Sequence, residues 1–357
     1  MDRLPQGTGR WRPSRAPAAS LTVPGLVASR VLDAELGALL WITVEANVPL
    51  IIAAVEDAAP MRAMLEAFLA FLPPVVERIE LQGSRETFDW LGDAAALGWF
   101  GDDEPLASPG EADPATPRRS AIALPPRKMA PPETTYLVAD DIGSDPGAGL
   151  FGPRLRLVVR ALQRGYGLGA TMHADSLEQV LARLASPPAS VSADELRRLG
   201  VVFVMSSLGA PIDRGVADAG AREGTRSRRA PRAARSVPER SEPPVVGAGP
   251  AVEAGVWRVA ACHYIRPLER DAAGHFQRRP PAVLTTWDRE RDVMEHFERG
   301  LIAELAMRVG LERDEFEREH VARSRILGAL AASGQTSPEA LRALLERRSR
   351  PAAGSEG

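Results

Sequence analysis

The apolar positions of this chain switch repeatedly between helical and strand spacing. Leu36, Leu39, Leu40 and Val44 recur on one helical face, and Asp33 just before them is a capping side chain, so a helix is predicted to about Ala46. Asn47 and Pro49 stop it. Leu50 to Val55 is a short continuous apolar run, the pattern of a strand buried on both faces. A helix over about Met61 to Leu72, closed by Pro73-Pro74, and an alternating strand over Arg78 to Gln82 come next. Tyr136 to Ala139 reads as a strand ending in Asp140-Asp141. Leu155, Val158, Val159 and Leu162 mark a helix, and Leu168 to Met172 a strand. Ser176-Leu177-Glu178-Gln179 and Ser192-Ala193-Asp194-Glu195 have the form of capping boxes that open two further helices. Val201 to Ser206 is another apolar strand. Strands that alternate with helices over 34–206 predict an α/β core with a mostly parallel sheet.

Beyond that core the pattern predicts a strand pair, Val256 to Ile265 and Ala282 to Trp287, then helices over about 289–309, 312–331 and 338–348, the last opened by Ser337-Pro338. On this reading Asp288, Glu290, Glu295 and Glu298 form the solvated face of a helix. Between the periodic segments composition shifts. Residues 1–29 read as a loose tail; 101–132 carry eight prolines and no aromatic residue; 209–254 also lack aromatics and hold seven arginines from Arg222 to Arg240. The last two are expected to be a disordered insertion and a flexible basic linker. The expected layout is a core at 30–208 interrupted by 101–132, the linker at 209–254, closing strands at 255–288 and a helical region at 289–350.

Composition narrows the chemistry. One cysteine, Cys262, excludes an intrachain disulfide framework and a multi-cysteine metal site, and fits a reducing, cytoplasmic setting. No apolar run reaches the length of a membrane span, and the N-terminus has no secretory pattern. A formal net charge of −3 argues against a general nucleic-acid partner, and the Arg222–Arg240 stretch reads first as solvated linker. Lys128 is the single lysine, so any lysine-dependent mechanism has one candidate, and it lies in the proline-rich insertion. Gly165-Tyr166-Gly167-Leu168-Gly169 has a superficial likeness to a dinucleotide loop, but it precedes a strand instead of joining strand to helix. His263, His275, His296 and His320 show no metal-ligand spacing.

Strand, turn and helix at 50–72 is the setting of a phosphate-binding loop, G-x-x-x-x-G-K-[ST], whose amides and helix N-terminus cradle phosphate. The run AELGALLWITVEANVPLIIAA resembles the segment that leads into this loop in the secretion and pilus ATPases, the motors of type II secretion, type IV pili and type IV secretion. TTYLVADDIG resembles their Walker B strand, and GYGLGATMHADSLEQVLARL their histidine box. VWRVAACHYIRPLERD and AVLTTWD resemble their closing strands. The resemblance implies a RecA-like P-loop NTPase core, ATP with Mg²⁺, a homo-hexamer, and secretion or pilus proteins as partners.

Placed on that family, residues 55–62 hold the phosphate loop, and the nucleotide-binding positions are Val55, Ala58, Ala59, Pro60, Met61 and Arg62. Val55 and Pro60 stand for glycines, Met61 for the lysine and Arg62 for the Mg²⁺-binding hydroxyl. Asp140-Asp141 stand for Gly-Glu; Asp141 becomes the catalytic acid and Mg²⁺ ligand, and His173 the phosphate sensor. The bland readings are a solvent-facing strand end for the aspartates and a core histidine bonded to a carbonyl for His173. Pro60 removes an amide donor, and Glu56 and Asp57 add charge. Each like-charge contact at about 4 Å costs about 1 kcal/mol in water and about 4 kcal/mol at an effective dielectric of about 20. The expectation is a core that keeps its fold and loses hydrolysis, serving as a structural or regulatory subunit. The alternatives are a working ATPase that uses Arg62, Asp141 and His173, and a protein-binding scaffold.

Overall fold

All of Leu50–Ala54 is buried, yet its side chains serve two cores: Leu50, Ile52 and Ala54 on one face, Ile51 and Ala53 on the other. That division organises the computed structural model, which describes residues 21–55, 58–92, 94–99, 130–143, 149–207, 257–270 and 274–349. The chain runs α1 (Val23–Ala28), α2 (Ala34–Glu45), β1 (Leu50–Ala54), α3 (Ala58–Leu69), β2 (Glu77–Glu80) and β3 (Thr135–Ala139). It continues through α4 (Gly152–Ala161), β4 (Gly167–His173), α5 (Leu177–Ala185), α6 (Ala193–Leu196) and β5 (Val201–Ser207). The last part holds β6 (Trp257–Tyr264), β7 (Glu269–Arg270), β8 (Phe276–Gln277), β9 (Ala282–Asp288), β10 (Val293–His296), α7 (Ile302–Val309), α8 (Arg313–Ala332) and α9 (Pro338–Ser349).

Eight strands form one sheet in the order β10-β9-β6-β5-β1-β4-β3-β2. From β5 to β2 the neighbours are parallel; β6, β9 and β10 join antiparallel beyond β5. The fold is α/β with a largely parallel sheet and C-terminal helices. Residues of α4, α5 and α6 pack on one face, and those of α1, α2, α3, α7, α8 and α9 on the other. Helices on both faces explain the continuous apolar runs of β1, β3 and β5. No described helix is long and apolar enough to cross a membrane.

α2 is buried from Leu36 through Val44, because α8 packs along it, α1 and α3 flank it, and it shares one apolar core with side chains of β1, β5 and β6. Trp41 stacks on Phe71 at 4.7 Å, and Arg323 lies over its ring at 5.0 Å. Arg323 also pairs with Glu45 on α2 and with Glu319. On the opposite face Arg160, 1% exposed, donates to Glu195 at 2.6 Å and to the Leu97 carbonyl at 2.7 Å. Close approach decides one glycine: Gly167 faces Tyr136 across β4 and β3, and a Cβ there would lie 2.3 Å from the ring.

Asp33 caps α2 as expected, its Oδ1 accepting from the Leu36 amide at 2.9 Å. Ser192 and Glu195 form the full reciprocal capping box. Ser176 caps α5, but the Gln179 side chain accepts from the amide of Asp175 instead of Ser176. Ser337 caps α9.

Four expectations need correction. The tail prediction fails at its end, because Thr22 caps α1 and Pro24 sits in its first turn, where no amide donor is needed; Val23 and Leu26 are buried. The insertion ends earlier than 132: Ala130 is buried, and its carbonyl accepts from the Tyr166 hydroxyl at 2.8 Å. The helix over 289–309 is instead β10, a 3-10 turn at Glu298–Gly300 and the shorter α7, since the free edge of β9 recruits Val293–His296. Asp288 and Glu295 therefore lie on strands, and Glu298 is buried, not on a solvated helix face. Residues 1–20, 101–129 and the linker at 209–254 lie outside the described residues.

Candidate functional site

The carboxyl ends of β1, β4 and β3 lie side by side, so Ala54, His173 and Asp140-Asp141 meet at one edge of the sheet. In parallel α/β sheets this edge is where ligands bind, at the point where successive crossovers leave in opposite directions. Here β1 is that point: α3 carries the chain towards β2 on one side, while β5 lies on the other. The six candidate nucleotide-binding positions, Asp141 and His173 all belong to this edge or to the α3 turn above it.

β1 ends at Ala54 and α3 begins at Ala58, which leaves residues 55–57 between them. The window 55–62 is thus a correction to the expected loop: Ala58, Ala59, Pro60, Met61 and Arg62 are already helical. Pro60 is compatible with a first helical turn, whose amides have no intrahelical acceptor. Val55 projects into solvent, 64% exposed. Met61 is wholly buried in the core beneath α3, so the residue in the lysine position turns away from the edge.

Arg62 points at the edge, and its guanidinium is held by three carboxylates. Nη1 donates to Asp140 Oδ1 at 2.8 Å, and Nη2 donates to Glu80 Oε2 at 3.0 Å and to Glu66 one turn along α3. Arg78 joins both glutamates, to Glu66 at 2.9 Å and Glu80 at 3.1 Å. Half-burial alone lowers the pKa of Arg62, but the bond and charge of Asp140, with Glu66 and Glu80, reverse this and raise it. Two arginines facing three carboxylates make a nearly self-neutral cluster, in which the guanidinium bridges the helix turn to the acid of β3. In phosphoryl-transfer sites a metal ion performs that bridging.

The two aspartates have different surroundings. Asp140 takes Arg62. Asp141 adopts a positive φ of 46°, its amide donates to Thr171 Oγ1 at 2.9 Å, and its carboxylate lies by Gly149. Its Oδ1 is buried with no hydrogen-bond partner among the described residues. A Cβ at Gly149 would meet the Asp141 carbonyl at 1.9 Å, so glycine is required there. His173 pairs in register with Ala54 and is partly exposed at the end of β4; among the described residues its ring makes no hydrogen bond, so the carbonyl partner of the bland reading is not found. The Arg62–Asp140 pair was missed in the sequence, where only the charges of Arg62, Glu66 and Glu80 at the ends of adjoining elements hinted at it.

Among known proteins, no family model and no curated sequence matches the chain.

Proposed function

We propose that this chain is a catalytically degenerate relative of the secretion and pilus ATPases, with a RecA-like core that serves as a structural or regulatory subunit of a secretion or pilus motor. Two features support the family reading: the parallel order β5-β1-β4-β3-β2, with the histidine-box strand β4 inserted between the β1 and acid-bearing β3 strands, and the meeting of Asp140-Asp141 and His173 at one edge. The observation that carries the loss of hydrolysis is the engagement of Arg62, in the first half of α3, by Asp140, Glu66 and Glu80. Among the described residues a triphosphate there would meet no lysine and a carboxylate-rich rim. Mg²⁺ would compete with Arg62 for Asp140, and Asp141 and His173 would have no phosphate to act on. On this reading the chain works in the cytoplasm, contacts other motor proteins and assembles, if it does so, as a ring.

Calorimetry tests the reading. Purified full-length protein should bind ATP weakly or not at all, with or without Mg²⁺, and should show no ATPase activity above background. Replacing residues 55–62 by a G-x-x-x-x-G-K-S loop should bring Mg²⁺-dependent ATP binding. Hydrolysis by the unmodified chain that disappears in Asp141→Ala would overturn the degenerate reading in favour of a working ATPase. A grafted protein that folds but binds no nucleotide would overturn the family reading.

A further inference from the structure

The opposite edge of the sheet, where β5 begins and β6 ends, gathers charge of one sign. Arg197 and Arg198 lead into β5, Tyr264 closes β6 beside Val201, Arg266 follows it, and Arg308 stands in the last turn of α7. We propose that Tyr264, Arg308 and Arg198 form a binding site for a phosphate group, a site independent of the nucleotide question.

The arginines of this corner outnumber their acids. Glu304 takes Arg266 and Arg279, each at 2.9 Å, and Glu269 takes Arg279 at 3.3 Å. Arg197 Nη1 donates to the carbonyls of Arg266 and Arg279. Arg198 and Arg308 meet no carboxylate among the described residues. They meet each other instead, Arg308 Nη2 donating to the Arg198 carbonyl at 3.1 Å. Burial lowers the pKa of Arg308; Tyr264 opposes this, and the like charge of Arg198 adds to it. Two neighbouring guanidiniums without a counter-charge, one of them half-buried, are costly unless an anion joins them.

Tyr264 supplies the independent observation. The residue is 0% exposed, and its hydroxyl is buried with no hydrogen-bond partner among the described residues. A buried hydroxyl in that state has lost its bonds to water without replacement. The charge that acts most strongly on it is Arg308, and burial pushes its pKa up to about 12, so at neutral pH it is a donor. Arginine offers it no acceptor, and the two nearby glutamates are taken by Arg266 and Arg279. An oxyanion would satisfy the hydroxyl and both guanidiniums together. Tyr264 is buried, Arg308 half-buried and Arg198 exposed, so the donors rise from the floor of the corner to its rim. A phosphate suits this set better than a carboxylate. Its two charges match the two unpaired guanidiniums, whose forks fit its oxygens, and a further oxygen is left for the hydroxyl.

The test has two arms, both with full-length protein at low salt, where charge is least screened. One is calorimetric titration with inorganic phosphate; the other is co-sedimentation with phosphatidylcholine vesicles that carry phosphatidic acid. A soluble phosphate ligand predicts one phosphate per chain and a raised melting temperature without sedimentation. A lipid headgroup predicts sedimentation with the phosphatidic-acid vesicles and none with phosphatidylcholine alone. In whichever arm binds, Arg308→Gln should weaken binding by about 10-fold or more, and Arg308→Lys by less. Tyr264→Phe, which removes only the hydroxyl, should weaken it by about 3- to 10-fold. Arg313→Gln, an exposed arginine paired with Glu317, should leave it unchanged. Arg198 is exposed, so a loss in Arg198→Gln remains informative if Arg308→Gln fails to fold. No saturable binding in either arm, or equal affinity in wild type, Arg198→Gln and Tyr264→Phe, would overturn the proposal.

Discussion

Arg62 Nη1 sits 2.8 Å from Asp140 Oδ1, so the first half of α3 is ion-paired to the end of β3 across the edge where a ligand would otherwise lie. Because Asp140 is well exposed, the pair itself should be worth about 0.2–1 kcal/mol. Arg62→Ala should cost more than Asp140→Ala, since Glu66 and Glu80 lose the same partner. Urea unfolding of both single variants and the double variant should give a coupling energy in that range. Additive effects would mean that solvent, not Arg62, satisfies Asp140.

Gly167 should tolerate no side chain. The built Cβ lies 2.3 Å from both the Tyr136 ring and Asn47 Oδ1, and Tyr136 is pinned by its hydroxyl bond to the Val48 carbonyl at 3.1 Å. Gly167→Ala should destabilise by about 1–3 kcal/mol, the range of overpacked cores. Gly274→Ala, in open space, is the comparison, although its φ of 83° adds strain of its own. A thermal melt of Gly167→Ala at the wild-type temperature would contradict the packing argument.

Glu195 should make stability depend on acid. Burial pushes its pKa up, but Arg160, Ser192 and Arg156 outweigh this, and the folded value falls below the usual one for a glutamate. With a depressed folded pKa, its contribution is complete above the unfolded value and is lost as pH falls through the folded one. The urea midpoint of wild type should therefore drop more steeply below about pH 4.5 than that of Glu195→Gln. At neutral pH the Gln variant should be weaker by about 3–5 kcal/mol, because Arg160 is left buried without its carboxylate. Parallel acid profiles would refute the assignment.

Arg323 joins α8 to α2 through Glu45 and the face of Trp41. Arg323→Met should retain much of the packing over the ring yet lose the charge, at about 1–3 kcal/mol. Chemical denaturation monitored by fluorescence checks this; a variant as stable as wild type would leave Arg323 a surface residue in energetic terms.

The parallel core was legible because β1, β3 and β5 are each buried on both sides, which writes unbroken apolar runs into the sequence. Capping by Asp33, Ser192 and Ser337 was legible because each side chain acts on the amide three residues on. β10 was not, since Val293, Met294, Glu295 and His296 mix charge with apolar character and become a strand only through the edge of β9. Proline misled at both ends of the first half. Pro24 and Pro60 look like loop residues, but each sits in a first helical turn; the expected tail was drawn too long for this reason, and the family resemblance drew the phosphate loop past the start of α3. The partners of Arg62 come from three elements, so no local pattern announces them.

The burial of α2 also sets a schedule for biosynthesis. Its partner α8 begins 279 residues later, at Arg313 against Ala34. At about 5–20 residues per second, a ribosome needs roughly 15–55 s to make that stretch. Throughout that interval Leu36–Val44, apolar on every side, has half of its cover missing. The nascent chain therefore exposes this apolar helix until residues 313–332 emerge, and a chain cut before α8 is expected to aggregate instead of forming a smaller folded product.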